Sequence, residues 1–429
     1  MMTRSASPEQ KKAMSTAIKA TCLYGVVDNL YYNSFMLMYL AALGVPSDMI
    51  LVYLALSPLV YMFTMVPAAH YSGRSPYVRN GMTGQCVSAA GFILLIGAPF
   101  FKPFGKDWLF IWTGMLANGV GMSLYVASWF PLTSTFVPDN ERGRFFGTMR
   151  FFFQAVSILF ALAVIAVLKR DSSLKVFQLF MCLALVGKIA GIIYLSRLPA
   201  NQVESGPRPS LRESIWKAIV APGFMPFCAY TFLLMLATGC CASLFALLAK
   251  GPLGLGDDEV ILTGNLLMLG SMGGFYLGGK MVDRLGTKIM FLICHFSFGA
   301  ILLVYLFRGF VPAPFALLFV GALGAVFGCV QASSGIALTS EMIRLTPADN
   351  KPVATAINQA LCSAGVALSG LFSSQAIKFG LLNDHWTFAG HQMGQYDTLI
   401  LCCSIMVTLL VVTLGLVPSV IKCPDFTES

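Results

Sequence analysis

Three charged side chains stand inside long apolar stretches of the sequence, at least five residues from either end, where a charge needs a chemical reason. They are Asp28, Arg150 and Lys188. If these stretches cross a membrane, a carboxylate near mid-span costs about 2.5 to 3.5 kcal/mol on insertion scales, so Asp28 should face a cavity or a cation. Burial disfavours its charged form, which suits a group that binds and releases a proton. We predict that Asp28 contacts substrate or carries a proton, with a structural ion pair as the alternative.

The two basic residues have several possible roles. Arg150 lies about 8 Å along a helix from Phe145, close enough to the inner surface for its side chain to snorkel. It could bind an anion, pair with Asp28 or anchor the end of its helix. Lys188 lies deeper, roughly 13 Å from Arg197. A structural ion pair or snorkelling is expected of it before substrate contact.

Uncharged polar residues in the same apolar stretches could line a cavity collectively, although any one of them more often makes a hydrogen bond between helices. Gln154 shares a helix face with Arg150, because the two are four residues apart. Near the end of another stretch, Glu341 is expected to pair with Arg344. The candidates for substrate or proton contact are Asp28, Asn29, Tyr32, Asn118, Tyr125, Arg150, Gln154, Tyr230, Gln331, Asn358 and Gln359.

Motifs for enzyme chemistry are scarce. The spacing from Gly274 to Lys280 is that of a phosphate-binding loop, but Met281 replaces the Ser or Thr that would hold magnesium. None of the four histidines belongs to an H-E-x-x-H zinc motif. The twelve cysteines include no C-x-x-C pair, and several lie in apolar runs. We expect no enzyme, no cofactor and no metal.

The composition determines which elements must position these residues. Of the 429 residues, 57% are hydrophobic and 11% are charged, whereas soluble domains carry about 25% charged residues. About 20 apolar residues span the hydrocarbon core of a bilayer as a helix. Twelve runs qualify, which predicts an all-α membrane protein. The predicted spans are residues 15–43, 49–69, 80–101, 108–136, 145–168, 176–196, 224–248, 260–279, 289–307, 315–343, 353–380 and 398–420.

A proline-rich polar stretch near the middle divides the chain into two sets of six spans. Part of it, residues 211–220, could form an amphipathic helix at the membrane surface. The predicted domains are a cytoplasmic N-terminal arm (1–14), an N-terminal six-helix bundle (15–197), a cytoplasmic linker (198–223), a C-terminal six-helix bundle (224–420) and a cytoplasmic tail (421–429).

The loop charges predict the orientation. The loops on one side of this topology carry more than twice as many Lys and Arg residues as those on the other. Short basic loops stay in the cytoplasm, so both termini should be cytoplasmic. The N-terminal residues lack the features of a cleaved signal peptide. We expect a multi-pass protein of a bacterial inner (plasma) membrane. The net charge of +9 is dispersed among short loops, so no nucleic-acid partner is expected.

One segment combines a small-residue stripe with a charged turn. Gly270, Gly274 and Gly278 recur every four residues, which lets a neighbouring helix approach closely. The charged stretch 279–288 follows and is predicted to be a tight turn between two spans. This turn resembles the loop between the second and third helices of a half in the major facilitator superfamily, although Thr287 departs from the pattern. The matching residues of this gating motif are Gly279, Asp283, Arg284, Gly286 and Lys288.

The chain also carries a weak internal repeat. A shift of 209 residues lays Pro138 over Pro347, and the same shift lays Arg79 over Lys288. Agreement of two unrelated loops on one offset indicates two related halves, as in many secondary transporters. The N-terminal copy of the motif has decayed, because Arg74 stands where Asp283 does in the second copy.

The resemblance implies two pseudo-symmetric six-helix bundles and transport by alternating access. The fifth predicted span, residues 145–168, has no Gly-Pro pair like that of drug and proton antiporters in the superfamily. The linker does not begin with the Pro-Glu-Ser-Pro run of sugar porters. The subfamily therefore stays open. The leading hypothesis is a secondary active transporter for a small organic solute, which could be anionic given Arg150 and Lys188, with proton coupling through Asp28. The expected partners are a small-molecule substrate, protons and the lipid bilayer, with the protein as a monomer. The alternatives are an uncoupled facilitator, or a non-transporting receptor or assembly factor with the same fold.

Overall fold

A computed structural model describes residues 7–31, 34–72, 74–138, 141–170, 173–199, 210–346, 350–383, 385–388 and 390–415. Its secondary structure is almost wholly helical, with one short antiparallel hairpin of two strands. The helices are α1 (Pro8–Leu30), α2 (Ser34–Ala42), α3 (Ser47–Ser72), α4 (Tyr77–Phe101), α5 (Asp107–Phe136), α6 (Arg142–Leu168), α7 (Leu174–Leu195), α8 (Leu211–Ile219), α9 (Phe224–Thr238), α10 (Cys241–Lys250), α11 (Asp257–Tyr305), α12 (Ala313–Leu345), α13 (Lys351–Lys378) and α14 (Gln395–Leu410). The strands are β1 (Trp386–Phe388) and β2 (His391–Met393).

The described residues contain 11 helical segments that are long and apolar enough to cross a membrane. The first predicted span, residues 15–43, is divided between α1 and α2, which lie on either side of residues 32–33. With these two helices as the first span, the chain has the twelve-helix fold that the sequence predicts.

The first helix begins earlier than residue 15. Ser7 caps its N-terminus by accepting a hydrogen bond from the backbone N–H of Gln10 at 3.2 Å, while the Gln10 side chain accepts one from the Ser7 N–H at 2.9 Å. Pro8 occupies the first turn, where its missing N–H costs nothing. These local interactions extend the helix into the predicted polar arm.

The predicted span 224–248 is broken at Gly239 and Cys240, between α9 and α10. A side chain at Gly239 would meet the backbone of Val366, so α13 lies directly against the break. The hydroxyl of Ser369 accepts a hydrogen bond from the Cys240 N–H at 3.1 Å. A backbone group freed inside a membrane must find such a partner in the protein. The predicted span is confirmed as one membrane-crossing segment, Phe224–Lys250, with a turn at Gly239 and Cys240 inside it.

The predicted turn at 279–288 is a kink between two membrane-crossing segments, Asp257–Val282 and Arg284–Phe310, which α11 connects. The kink lies at Gly286, whose backbone is non-helical, with φ 78° and ψ 164°. This backbone conformation is essentially confined to glycine. Beside the kink, Thr287 donates a hydrogen bond to Oε2 of Glu341 on α12 at 2.8 Å. The chain thus changes direction at one residue, and a side-chain hydrogen bond to α12 holds the kink.

Glycines allow two pairs of helices to pack at backbone contact. Side chains at Gly270, Gly274 and Gly278 on α11 would overlap the backbone of Ala325, Cys329 and Ser333 on α12. The close approach predicted from their spacing is confirmed. In α4 and α5, Gly84 faces Gly121 and Gly91 faces Gly114 in the same manner.

The chain divides into two compact units, residues 1–44 with 56–211 and residues 45–55 with 212–429. The first unit has a core of aromatic and aliphatic residues from α1, α5 and α6. The second has a larger core from α9, α10, α11 and α14. Residues 45–55 group with the second unit, where Ser374 donates to the Asp48 carbonyl oxygen at 2.8 Å.

Two predicted loop regions contain short ordered elements. The proline-rich linker holds α8, close to the amphipathic helix predicted over 211–220, and Asn350 donates to the Ser214 carbonyl oxygen at 2.6 Å. The loop predicted between the last two spans, residues 381–397, holds the β1–β2 hairpin. Next to it, Arg308 forms a buried bidentate ion pair with Asp397. The prediction of an all-α protein missed this small hairpin.

Candidate substrate and proton site

Asp28 on α1 lies in a buried polar contact with two neighbouring helices. The Nζ of Lys188 on α7 donates to its Oδ1 at 2.5 Å. The Nε2 of Gln85 on α4 donates to its Oδ2 at 3.2 Å. The side chain of Lys188 is 0% exposed and that of Asp28 is 12% exposed. A buried ammonium and a nearly buried carboxylate therefore compensate each other, with an amide beside them.

Small residues on α7 bring the lysine within reach of α1. A side chain at Gly191 would come within 2.8 Å of the Tyr24 backbone nitrogen and 2.9 Å of the Ala20 carbonyl oxygen. Gly187, the residue before Lys188, also faces α1, at the Leu23 carbonyl oxygen. Because glycine has no side chain, α7 can lie against α1 at backbone distance.

The amide of Gln85 is not fully satisfied. Its side chain is 0% exposed, and within the described part of the chain its Oε1 has no hydrogen-bond partner. A buried acceptor left without a donor costs free energy. The site thus holds one spare acceptor on the group that already contacts Asp28.

One helical turn from Asp28, two tyrosines continue the polar region. The hydroxyl groups of Tyr24 and Tyr125 are 2.6 Å apart, and the Thr21 hydroxyl lies 3.1 Å from that of Tyr24. The rings of Tyr24 and Tyr125 meet edge to face. Tyr125, predicted from the sequence as a site residue, is therefore in the same part of the molecule as Asp28.

Asn118 has a different surrounding. Its Nδ2 donates to Ser57 at 2.8 Å, and its Oδ1 accepts from Ser88 at 2.8 Å. The side chain is 0% exposed, and it ties α3, α4 and α5 together. Asn118 thus makes hydrogen bonds between packed helices, the common role of a polar residue in a membrane-spanning segment.

The second unit contains a buried hydrogen-bonded row, which we define as the His295 row. Tyr230 on α9 contacts Nδ1 of His295 on α11 at 2.5 Å, and Nε2 of His295 lies 2.9 Å from the Ser334 hydroxyl on α12. All three side chains are almost fully buried. Tyr230 was predicted from the sequence as a site residue, whereas His295 and Ser334 were not. His295 could have been predicted, because an ionisable residue inside an apolar run indicates a functional site.

Asn358 on α13 belongs to a neighbouring contact. It donates to Thr231 at 3.1 Å and lies 3.6 Å from the Cys228 sulfur. It is almost fully buried, and these contacts join α13 to α9.

The other predicted residues differ in their exposure. Arg150 is exposed on α6, and the ion pair that the structure shows for Asp28 is with Lys188. Gln154 is buried on α6, Asn29 and Gln359 are half-buried, and Gln331 is exposed on α12. Tyr32 lies outside the described residues.

The predicted motif is centred on the kink of α11. Gly279 and Gly286 lie in α11, Arg284 is exposed, and Lys288 is half-buried. The side chain of Asp283 lies outside the described part of the structure. Glu341 pairs with Arg344, as its spacing predicted, and also accepts the Thr287 hydrogen bond.

Metal chemistry has no donor set among the described residues. No group of three or more His, Cys, Asp or Glu side chains lies close enough together there to hold an ion.

Comparison with known proteins identifies the family. A family model for the Major Facilitator Superfamily matches residues 20–370. The chain belongs to the Major Facilitator Superfamily. This family is one of transporters and not of enzymes, in agreement with the scarcity of catalytic motifs. No curated protein matches the chain by sequence.

Solved structures of other transporters share the fold of this superfamily member. The nucleoside transporter NupG is 14% identical, with a TM-score of 0.64, and the match covers 95% of this chain and 98% of NupG. A POT family transporter in complex with a thioalcohol-conjugated peptide is 13% identical, with a TM-score of 0.69 and coverage of 96% and 97%. The E. coli fucose:proton symporter FucP is 13% identical, with a TM-score of 0.61 and coverage of 93% and 97%. At these identities the likeness concerns the fold alone.

Proposed function

We propose that this protein is a secondary transporter that carries a small organic anion together with a proton by alternating access. The Asp28–Lys188 pair is the point at which proton and anion are exchanged. The observation that carries the proposal is the position of the pair. A fully buried ammonium, that of Lys188, takes a carboxylate with slight solvent access as its ionic partner.

Proton binding and anion binding are coupled because the positive charge of Lys188 must be compensated in every state. Protonation of Asp28 removes the negative charge that compensates Lys188. An isolated buried cation is costly, so the protonated state needs another anion beside the lysine. The carboxylate or phosphate of a solute supplies one. Proton and anion then bind favourably together, and each binds poorly alone.

Gln85 suits both states of this cycle. When Asp28 is ionised, the Gln85 Nε2 donates to its Oδ2. When Asp28 is protonated, its hydroxyl needs an acceptor, and the spare Oε1 of Gln85 becomes one after rotation of the amide. The hydroxyl groups of Tyr24 and Tyr125, close by, hydrogen-bond each other, and a solute group takes the place of one of these partners when it binds.

Solved structures of similar fold are those of solute transporters, which supports solute transport as the general function. They include a nucleoside transporter and a fucose:proton symporter. A solute of comparable size, bearing one acidic group, fits the charge balance described above.

A non-transporting receptor or assembly factor is the second candidate. Its support is Arg74, which replaces an aspartate in the decayed copy of the motif. The guanidinium of Arg74 lies over the Tyr71 ring, 4.2 Å from the centroid. Arg74 thus has a local partner of its own in place of a gating role.

Flux into proteoliposomes tests the proposal. Purified protein is reconstituted with a pH-sensitive dye inside the vesicles, and a panel of small carboxylates, organic phosphates and matched neutral solutes is added outside. We expect at least one anionic solute to enter and acidify the lumen, while its neutral analogue does not. Entry without acidification would identify an uncoupled facilitator. No entry of any solute, together with a stably co-purifying protein, would favour the receptor.

A further inference from the structure

A groove in the first unit lies apart from the ion-pair site. It has a volume of about 810 Å³ and runs between α1 and α6, with Tyr194 of α7 also in its wall. Asp28 follows Lys19, a lining residue, by nine residues, or two and a half helical turns, and so lies on the opposite side of α1. The groove is therefore not part of the proposed exchange site.

The α1 wall of the groove carries a basic line. Lys11, Ser15 and Lys19 follow one another at four-residue spacing and share one helix face. All three side chains are exposed. Within the described part of the chain, neither lysine has an acidic partner. Glu141 also lines the groove, and two lysines leave one positive charge in excess there.

The deeper part of the groove is apolar. It is walled by Leu23 of α1 and by Phe152 and Val156 of α6. Lys11 precedes Leu23 by twelve residues, which is about 18 Å along a helix. Phe152 is 49% exposed in a segment that is apolar enough to span a membrane, so its ring is accessible to an apolar ligand in the groove.

A basic entrance followed by an apolar channel along a membrane-spanning helix matches one kind of ligand. Basic pockets between membrane helices bind the head groups of anionic lipids. We propose that this groove holds an anionic glycerophospholipid. Its phosphate lies between Lys11 and Lys19 beside the Ser15 hydroxyl, and one acyl chain follows Leu23, Phe152 and Val156. The lipid would brace α1, the helix that carries Asp28, against α6.

Native mass spectrometry of the full chain tests the assignment. Delipidated protein in a mild detergent is titrated with phosphatidylglycerol or with phosphatidylcholine of the same acyl chains. We expect a preference for phosphatidylglycerol. The double variant Lys11→Gln/Lys19→Gln should bind it about 30-fold more weakly, since each lysine near an anionic lipid accounts for about a fivefold change in affinity.

Lys12→Gln is the matched control. Lys12 is an exposed neighbour on α1 that does not line the groove, so its removal should leave binding unchanged. Thr148→Trp is a second variant that fills the groove without changing charge, and it should also weaken binding.

Three results would overturn the assignment. They are equal binding of the two lipids, an equal loss of binding in Lys12→Gln and in the double variant, and unchanged binding in Thr148→Trp. Competition by soluble glycerol 3-phosphate as effective as that by the lipid would likewise overturn it, because the groove would then be a phosphate site without a role for the acyl chain.

Discussion

At the scale of single residues, the Asp28–Lys188 contact unites two side chains 160 positions apart. Each would be costly alone at this depth, because a lone buried charge has neither water nor a counter-ion. Together with Gln85 they form the site at which we propose that Asp28 gains and loses a proton.

Removal of one partner should therefore destabilise the protein strongly. We predict that Lys188→Met lowers the free energy of unfolding by about 3 kcal/mol or more, because Asp28 is left without its cation. The double variant Asp28→Asn/Lys188→Met should recover most of the loss, since no unpaired charge remains. Denaturant unfolding in detergent measures both.

Lys175→Met is the control for this prediction. Lys175 is exposed near the start of the same helix, α7, so its replacement should change the stability by less than about 0.5 kcal/mol. Equal losses at the two lysines would contradict a stabilising pair at Lys188.

The sequence predicts those residues of the site whose charge is costly to bury in an apolar segment. Asp28 was expected to face a cavity or a cation, and its carboxylate pairs with Lys188. An ion pair was considered both for Arg150, with Asp28, and for Lys188, with no partner named, because sequence spacing does not show which helices adjoin α1. Gln85 and His295 were not predicted, because each is important through a contact with a residue distant in sequence. Gln85 contacts Asp28, 57 positions away, and His295 contacts Tyr230, 65 positions away.

At the scale of elements, the packing of α11 on α12 depends on an unbroken glycine stripe. Gly274 lies against the backbone of Cys329, whereas its neighbour Gly273 has nothing within 4 Å of the position where a side chain would begin. Of these two adjacent glycines, one is packed against a neighbouring backbone and the other is open, so substitution at Gly273 is a control for substitution at Gly274.

We predict that Gly274→Ala destabilises the protein by at least about 2 kcal/mol, because α12 must move away to admit the methyl group. Gly273→Ala should be neutral or stabilising by up to about 1 kcal/mol, since alanine is the better helix former. Thermal unfolding of the two variants in the same detergent makes the comparison. A similar loss in both would show that the loss comes from helix propensity and not from close packing.

Element boundaries were the least predictable part of the fold. The number and order of spans follow from apolar runs, because a bilayer sets the length of a helix. The break at Gly239 and Cys240 could not be read from the run, since the hydroxyl of Ser369, 129 residues away, satisfies the freed backbone group. The kink at Gly286 was expected as a loop, because charged residues around a glycine are typical of one.

At the scale of the whole molecule, the 209-residue repeat reappears inside the two units. Gly119 on α5 and Gly328 on α12 are related by this shift. A side chain at either would overlap a carbonyl group, that of Ser57 for the first and that of Leu267 for the second. The same shift relates Tyr125 to Ser334. Each of these two side chains belongs to a buried hydrogen-bonded group of its own unit.

Twelve spans and the distribution of basic loops predict that both ends of the chain are on the cytoplasmic face. Epitope tags added at the two ends should both resist protease in intact spheroplasts and both be cleaved in inside-out vesicles. Tags on opposite faces would require an odd number of spans and would contradict the topology.

The central claim is that Asp28 couples solute movement to proton movement. The most direct test compares wild type and Asp28→Asn in proteoliposomes, with a transported anionic solute from the panel above. Wild type should acidify the lumen as solute enters. The variant should still exchange labelled for unlabelled solute across the membrane without any change in lumenal pH. Solute-driven acidification of the same size in Asp28→Asn would contradict the account.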